Sequence, residues 1–153
     1  LAKLGVLYSS STYPIKHYLY GTPDWPRFIH KRPEGIFEIP VPTLRASAKN
    51  TGIGGGGYFR LYPYFLSKNR IKKYLNTENQ PYNFYFHPWE IDPKQPRVKG
   101  LSLKSTLRHY TNLSRMENKV EKLLTDFSWS TMNHVYFDHG RVKANLLNGT
   151  GMK

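Results

Sequence analysis

The sequence has no cysteine, so it can form neither a disulfide framework nor a thiolate metal centre, and any metal would need histidine and carboxylate ligands. Acidic residues are scarce: 10 Asp and Glu stand against 23 Lys and Arg, a formal net charge of +13. That excess attracts polyanions in general, whether nucleic acid, anionic lipid or acidic polysaccharide, without choosing among them. No apolar run approaches the ~20 residues that cross a bilayer and no leader-like stretch opens the chain, so no transmembrane segment is expected and the cytoplasm is the favoured compartment. Hydrophobic residues make up 39% and aromatics 15% of the 153 positions, enough for one globular domain with a real core.

Several catalytic signatures are also missing. None of His17, His30, His87, His109, His134 and His139 stands three or four residues from another, the spacing that sets two metal ligands on one helix face. His134 and His139, five apart, fall on opposite sides of a strand. No G-x-S-x-G elbow is present, and Ser9, Ser10 and Ser11 read as turn residues. The four glycines at 54–57 lack both a Walker ending and G-x-G-x-x-G spacing, so they are expected to make a tight turn or a loop that a ligand can approach closely.

The pattern that is present suggests a mixed α/β chain. "LAKLGVLYSSS" reads as a helix end, a glycine stop at Gly5, and a short strand over 6–8. Residues 16–34 carry three prolines among Tyr18, Tyr20, Trp25 and Phe28, which suggests an ordered, aromatic-pinned loop. "GIFEIPVPTL" is a strand that Pro40 and Pro42 push to an edge or a rapid exit. Residues 64–75 have helical spacing, with Phe65, Ile71, Tyr74 and Leu75 available for burial. A long helix is predicted over 102–127, where Lys104, Arg108, Arg115, Lys119 and Lys122 gather within about 60° as a basic stripe opposite an apolar face. A short strand follows at 135–137, then a polar tail expected to fray.

One residue stands out as a candidate acid or base. In "PYNFYFHPWEID" an extended chain places Tyr82, Phe84 and Phe86 on one side and Asn83, Tyr85 and His87 on the other. Pro88 biases His87 toward extended geometry and cannot continue a ladder, so the strand should stop there and present the imidazole at its C-terminal rim. Imidazole titrates near neutrality, which suits proton transfer, although a lone histidine can equally be a hydrogen-bonded structural residue.

Taken together, "LYSSSTYPIKHYLYGTPDWPRF", "GIFEIPVPTLR", "GGGGYFRLYPYFLS", "FYFHPWEIDPKQPR" and "GLSLKSTLRHYTNLSRMENKVEKLL" closely resemble the C-terminal half of bacterial polysaccharide deacetylases of the NodB-homology type. The nearest branch is the one found with exopolysaccharide and exosortase loci. The resemblance is collinear over roughly residues 1–130, leaving 131–153 as a terminal strand and tail. It implies a (β/α)7, TIM-like barrel, here only its C-terminal portion. It also implies a divalent metal, zinc by expectation, held by one Asp and two His, with a second Asp as base and a late histidine that protonates the departing sugar amine. "FYFHP" resembles the motif of that histidine, with Tyr85 where leucine is usual and His87 as the general acid. Tyr58, Arg60 and Trp89 resemble positions near the substrate cleft, and Trp89 could stack on a sugar ring or pack in the core. The metal-binding motifs of the family have no counterpart in these 153 residues, and Ser9 stands where the family commonly has an aspartate.

The expectation is therefore the general-acid part of a deacetylase for an N-acetylated polysaccharide or oligosaccharide, binding no metal and silent alone. The rival from another class is a non-catalytic module holding an anionic polymer, polysaccharide or nucleic acid, on the basic stripe. A third is a remnant packed on a chain that supplies the metal residues. An open barrel would also leave strand edges through which copies could self-associate.

Overall fold

The computed structural model describes residues 1–17, 20–47 and 49–147. The chain opens with a 3-10 turn, Ala2–Leu4, ended by Gly5 in the left-handed region at φ 74°, as its glycine predicts. Strand β1, Tyr8–Ser9, pairs in parallel with β3, Phe37–Glu38, which pairs antiparallel with β2, His30–Lys31. The proline-rich loop between β1 and β2 is tied down as expected. Arg27 Nη2 donates to the Thr43 carbonyl at 2.6 Å and forms an ion pair with Glu78 at 2.7 Å. Tyr18 of that loop lies outside the described residues. After β3, the buried Pro40 and Pro42 redirect the chain into an antiparallel pair, β4 over Thr43–Ala46 and β5 over Lys49–Gly52.

The glycine run starts a helix, α1, Gly56–Leu61. Gly55 at its head has φ 85°, a conformation only glycine adopts without strain. Helix α2, Tyr64–Glu78, follows at once and ends on Asn79 in the left-handed region at φ 50°. Ile71 and Tyr74 are buried as expected, but Phe65 is 61% exposed, because α2 is covered on one side only. The aromatic segment 82–86 is extended without joining a sheet; its rings pack on Phe59 instead of its backbone pairing. It leads into a 3-10 turn, Pro88–Ile91.

The single long helix expected over 102–127 is two helices: α3, Leu103–Tyr110, and α4, Leu113–Asp126. Asn112 breaks it, with φ 57° and an amide that donates to the Arg60 carbonyl at 3.0 Å. Asparagine tolerates that backbone region and gains a tertiary hydrogen bond there, which outweighs one more helical turn. The strand expected at 135–137 is mostly helix: α5, Met132–Tyr136, capped by the Thr131 side chain, precedes β6, Phe137–Asp138. A tight turn at His139 and Gly140, φ 44° and 77°, returns the chain as β7, Arg141–Val142. Two successive positive φ angles mark the turn type whose twist suits a hairpin. Helix α6, Ala144–Leu147, closes the described residues, and the remaining tail lies outside them.

The core has three buried clusters. Ile29 and Ile39 meet Tyr136, Phe137 and Leu146. Phe59 and Ile71 meet Met116 and Leu123 of α4. Tyr13, Ile15 and Val41 form the third. Each such side chain contributes about 1.5–3 kcal/mol by leaving water. The second cluster matters most for the site, since it clamps α1 and the segment before His87 against α4. The described residues form short sheets and helices, and no closed barrel is present among them.

Candidate functional site

His87 ends the extended segment at φ −90° and ψ 144°, as Pro88 dictates, and its side chain is exposed. Its backbone is fixed from both sides. The His87 amide donates to Glu90 Oε2 at 2.9 Å, and the Glu90 amide donates back to the His87 carbonyl at 2.8 Å. The first bond is the acid half of a capping box, and the second is the turn's own i to i+3 bond. Glu90 itself is 2% exposed and lies 3.5 Å from Arg60 Nε. A methyl added to Gly56 would sit 2.1 Å from Glu90 Oε2, so only glycine leaves room for this carboxylate. The third glycine of the run is thus needed for space.

Arg60, expected near the substrate, is 2% exposed and turned inward. Its guanidinium donates to the carbonyls of Arg108, at 3.0 Å, and His109, capping the end of α3. Burial lowers its pKa and Glu90 opposes that shift. Trp89 is half-buried. Its ring stacks on His109 at 4.3 Å between centroids and faces His87 at 5.8 Å, with the Arg60 guanidinium 5.1 Å away. Trp89 is the middle of a three-ring stack, with one face covered by His109. The His109 pKa is pushed down by burial and then by Arg60 and Arg108, while its Nε2 lies 3.0 Å from Gln95 Oε1.

Tyr58 is half-buried and meets Tyr13 edge to face at 6.1 Å. Burial raises its pKa, helped by Tyr20, Tyr62 and Tyr85. Tyr85 lies along Gly55, whose added methyl would be 2.9 Å from the ring, and remains 42% exposed. Tyr85 and His87 meet edge to face at 5.9 Å. His17 stacks on Tyr20 at 3.9 Å, and burial, Arg108 and Lys104 lower its pKa. The structure therefore gathers His87, Trp89 and His109 in one stack, with Tyr85 against Gly55 and Tyr58 against Gly52.

Ser9 shares a hydroxyl hydrogen bond with Ser11. Below that turn the fully buried Glu38 accepts from the amides of Ser11, at 2.7 Å, and Thr12, at 2.9 Å. Burial pushes the Glu38 pKa up, but these bonds, with the Thr12 and Ser9 hydroxyls, outweigh it and hold the pKa below the usual carboxylate range.

The basic stripe does not form as expected. Lys104 and Arg108 lie on α3, beyond the break at Asn112 from Arg115, Lys119 and Lys122 on α4. Lys119 is buried and donates to the carbonyls of Phe59, Arg60 and Tyr62 at 2.9, 3.0 and 2.6 Å. It caps α1, whose carbonyl end carries partial negative charge, and a core position overrides its place in the stripe. His134 lies in α5 and His139 in the hairpin turn with a 96% exposed side chain. Among the described residues no three His, Asp or Glu side chains gather where a metal ion could be held. A divalent metal is therefore not fitted by them.

Sequence reasoning missed Glu90, Gln95 and His109. For Glu90 a signal existed: His-Pro-Trp-Glu has a proline at the first turn position and an acid three after the cap. Gln95 and His109 carry no local signal, since their partners come from elsewhere in the chain.

Residues 10–137 match the family model described as Domain of unknown function (DUF3473). The chain belongs to the DUF3473 family. The match runs from β2 to the first residue of β6 and includes His87, Trp89, Glu90 and His109. No curated protein and no solved structure matches this DUF3473 chain significantly. No helix among its described residues is long and apolar enough to cross a membrane.

Proposed function

We infer that this DUF3473 chain supplies the proton-donating part of a deacetylase acting on N-acetylated sugar polymers, in exopolysaccharide synthesis. The observation that carries the reading is His87: its backbone is locked by Pro88 and the buried Glu90, while its imidazole is left exposed beside Tyr85. Membership of DUF3473, a family associated with polysaccharide deacetylases, supports the substrate class. The collinear resemblance supports the C-terminal portion of a TIM-like barrel as the setting.

Breaking an N-acetyl amide requires the departing sugar nitrogen to gain a proton, since an amine anion is too basic to leave. A positioned imidazole supplies that proton, an effect of ~10²–10⁴ in rate. Trp89, backed by His109, lies along one side of the His87 ring, and Tyr85 offers a ring and hydroxyl to a sugar. Arg60 acts below the surface, through Glu90. The metal that the family uses is assigned no step, because the described residues do not hold it.

Titration of the chain with N-acetylglucosamine oligomers, followed by NMR, should shift the His87, Tyr85 and Tyr58 resonances. No shift at millimolar oligomer would remove the substrate reading. Where metal-binding residues are supplied, on the same or a second polypeptide, His87→Ala should lower acetate release by about 10²–10⁴ with metal content unchanged. Full activity of that variant would remove the general-acid role.

A further inference from the structure

An amphipathic helix in a small domain normally turns its apolar stripe to the core. Helix α3 does the reverse. None of its residues is buried, and Leu103 and Leu107, one turn apart, are 85% and 67% exposed. The half-buried side carries Ser105, Thr106, His109 and Tyr110, with His109 bonded to Gln95. In the approach to the helix Val98 and Leu101 are bare as well, at 61% and 40%. Single exposed leucines need no explanation, but four large apolar side chains exposed within ten residues call for one.

These side chains lie in the most one-sided charge of the chain. Residues 93–116 contain no Asp or Glu, and Lys94, Lys99, Lys104 and Arg108 are all exposed. A nucleic acid would satisfy the cations and leave the leucines in water. A second copy would set two strongly cationic faces against each other, which like charge opposes. An anionic bilayer surface satisfies both, with phosphate at the headgroups and an apolar layer just below.

We propose that the exposed face of α3 and the segment 97–101 before it dock this protein on an anionic lipid surface, with Leu103 and Leu107 entering the acyl boundary and the flanking cations on the headgroups. Through this face the chain lies on the membrane surface, and no helix among the described residues is long and apolar enough to span it. This interaction is independent of His87 and stands whether or not the chain acts on a sugar.

The test is flotation of the full chain with phosphatidylcholine vesicles, with and without phosphatidylglycerol. Binding should require the anionic lipid. Leu103→Ser with Leu107→Ser should weaken it about a hundredfold, the loss expected from two leucines leaving an apolar layer. Lys94→Glu with Lys99→Glu should weaken it at least about tenfold; these lysines are chosen because Lys104 and Arg108 also act on His17. Both variants should keep the wild-type melting temperature, since the replaced side chains are exposed. No partition onto anionic vesicles overturns the proposal. So does binding that the leucine variant leaves unchanged, which would be adsorption by charge alone. Self-association in the absence of lipid that the leucine variant abolishes would make the face an interface between copies, and also overturns it.

Discussion

Lys119 donates to the Arg60 carbonyl at 3.0 Å while the Arg60 guanidinium donates to the carbonyls of Arg108 and His109. One buried cation thus caps α1 and the next caps α3. Replacing Lys119 by Met keeps the volume and removes the donors to three carbonyls, so a loss of about 2 kcal/mol is expected in urea melts. Burial, then Arg115 and Arg60, lower the pKa of Lys119, so the unfolded chain holds that proton more tightly. Its contribution should rise as pH climbs through the lowered value toward that of free lysine, and Lys119→Met should abolish this slope. Equal stability of the two proteins across that range would show the caps to be idle.

Glu90 is the only carboxylate that Arg60 meets as an ion pair among the described residues. Glu90→Gln keeps the shape and can still accept from the His87 amide, yet leaves a buried guanidinium uncompensated. A loss of about 3 kcal/mol is expected. Amide exchange at His87 should quicken in the same variant. Unchanged stability would mean that the carbonyls of Arg108 and His109 suffice for Arg60.

Neighbouring glycines should respond in opposite directions. Gly56→Ala drives a methyl to 2.1 Å from Glu90 Oε2 and should cost about 1–3 kcal/mol. Gly57, in the same helix, has nothing within 4 Å of an added methyl, and Gly57→Ala should gain about 0.5–1 kcal/mol. Calorimetry of the two variants checks this, at roughly 2–4 °C per kcal/mol for a chain of this size.

The depressed pKa of Glu38 sets a direction for acid unfolding. Its stabilisation is present above the pKa of an unfolded glutamate and is lost as pH falls through the lower, folded value. Glu38→Gln should therefore flatten the acid limb of stability, below the pKa of an unfolded glutamate, relative to wild type. An identical limb in the variant would assign acid sensitivity to other carboxylates.

What was legible in the sequence was whatever a local rule decides. Gly5 as a stop, Pro88 as the end of the aromatic segment, the exposed His87 and the helical spacing of 64–75 all rest on backbone sterics or periodicity. The break at Asn112 was hidden because its cause, the Arg60 carbonyl, lies 52 residues away in sequence. The same distance problem turned Lys119 from a stripe residue into a buried cap, and Arg60 from a ligand contact into a support for α3. Phe65 misled in the other direction, since periodicity names a face without saying what covers it. The local geometry of the candidate site was half readable: the extended His87 from Pro88, the bond from Glu90 from an unread cap signal, and the stacking of His109 from nothing local.

The chain of caps that runs from Lys119 through Arg60 to the end of α3 ties together segments far apart in sequence. Helices α1, α3 and α4 share carbonyl ends and donors, so none can fray without stranding the polar groups of another. They are expected to open as one unit in hydrogen exchange, and the His87 backbone, bonded to the Glu90 carboxylate that faces Arg60, to open with them.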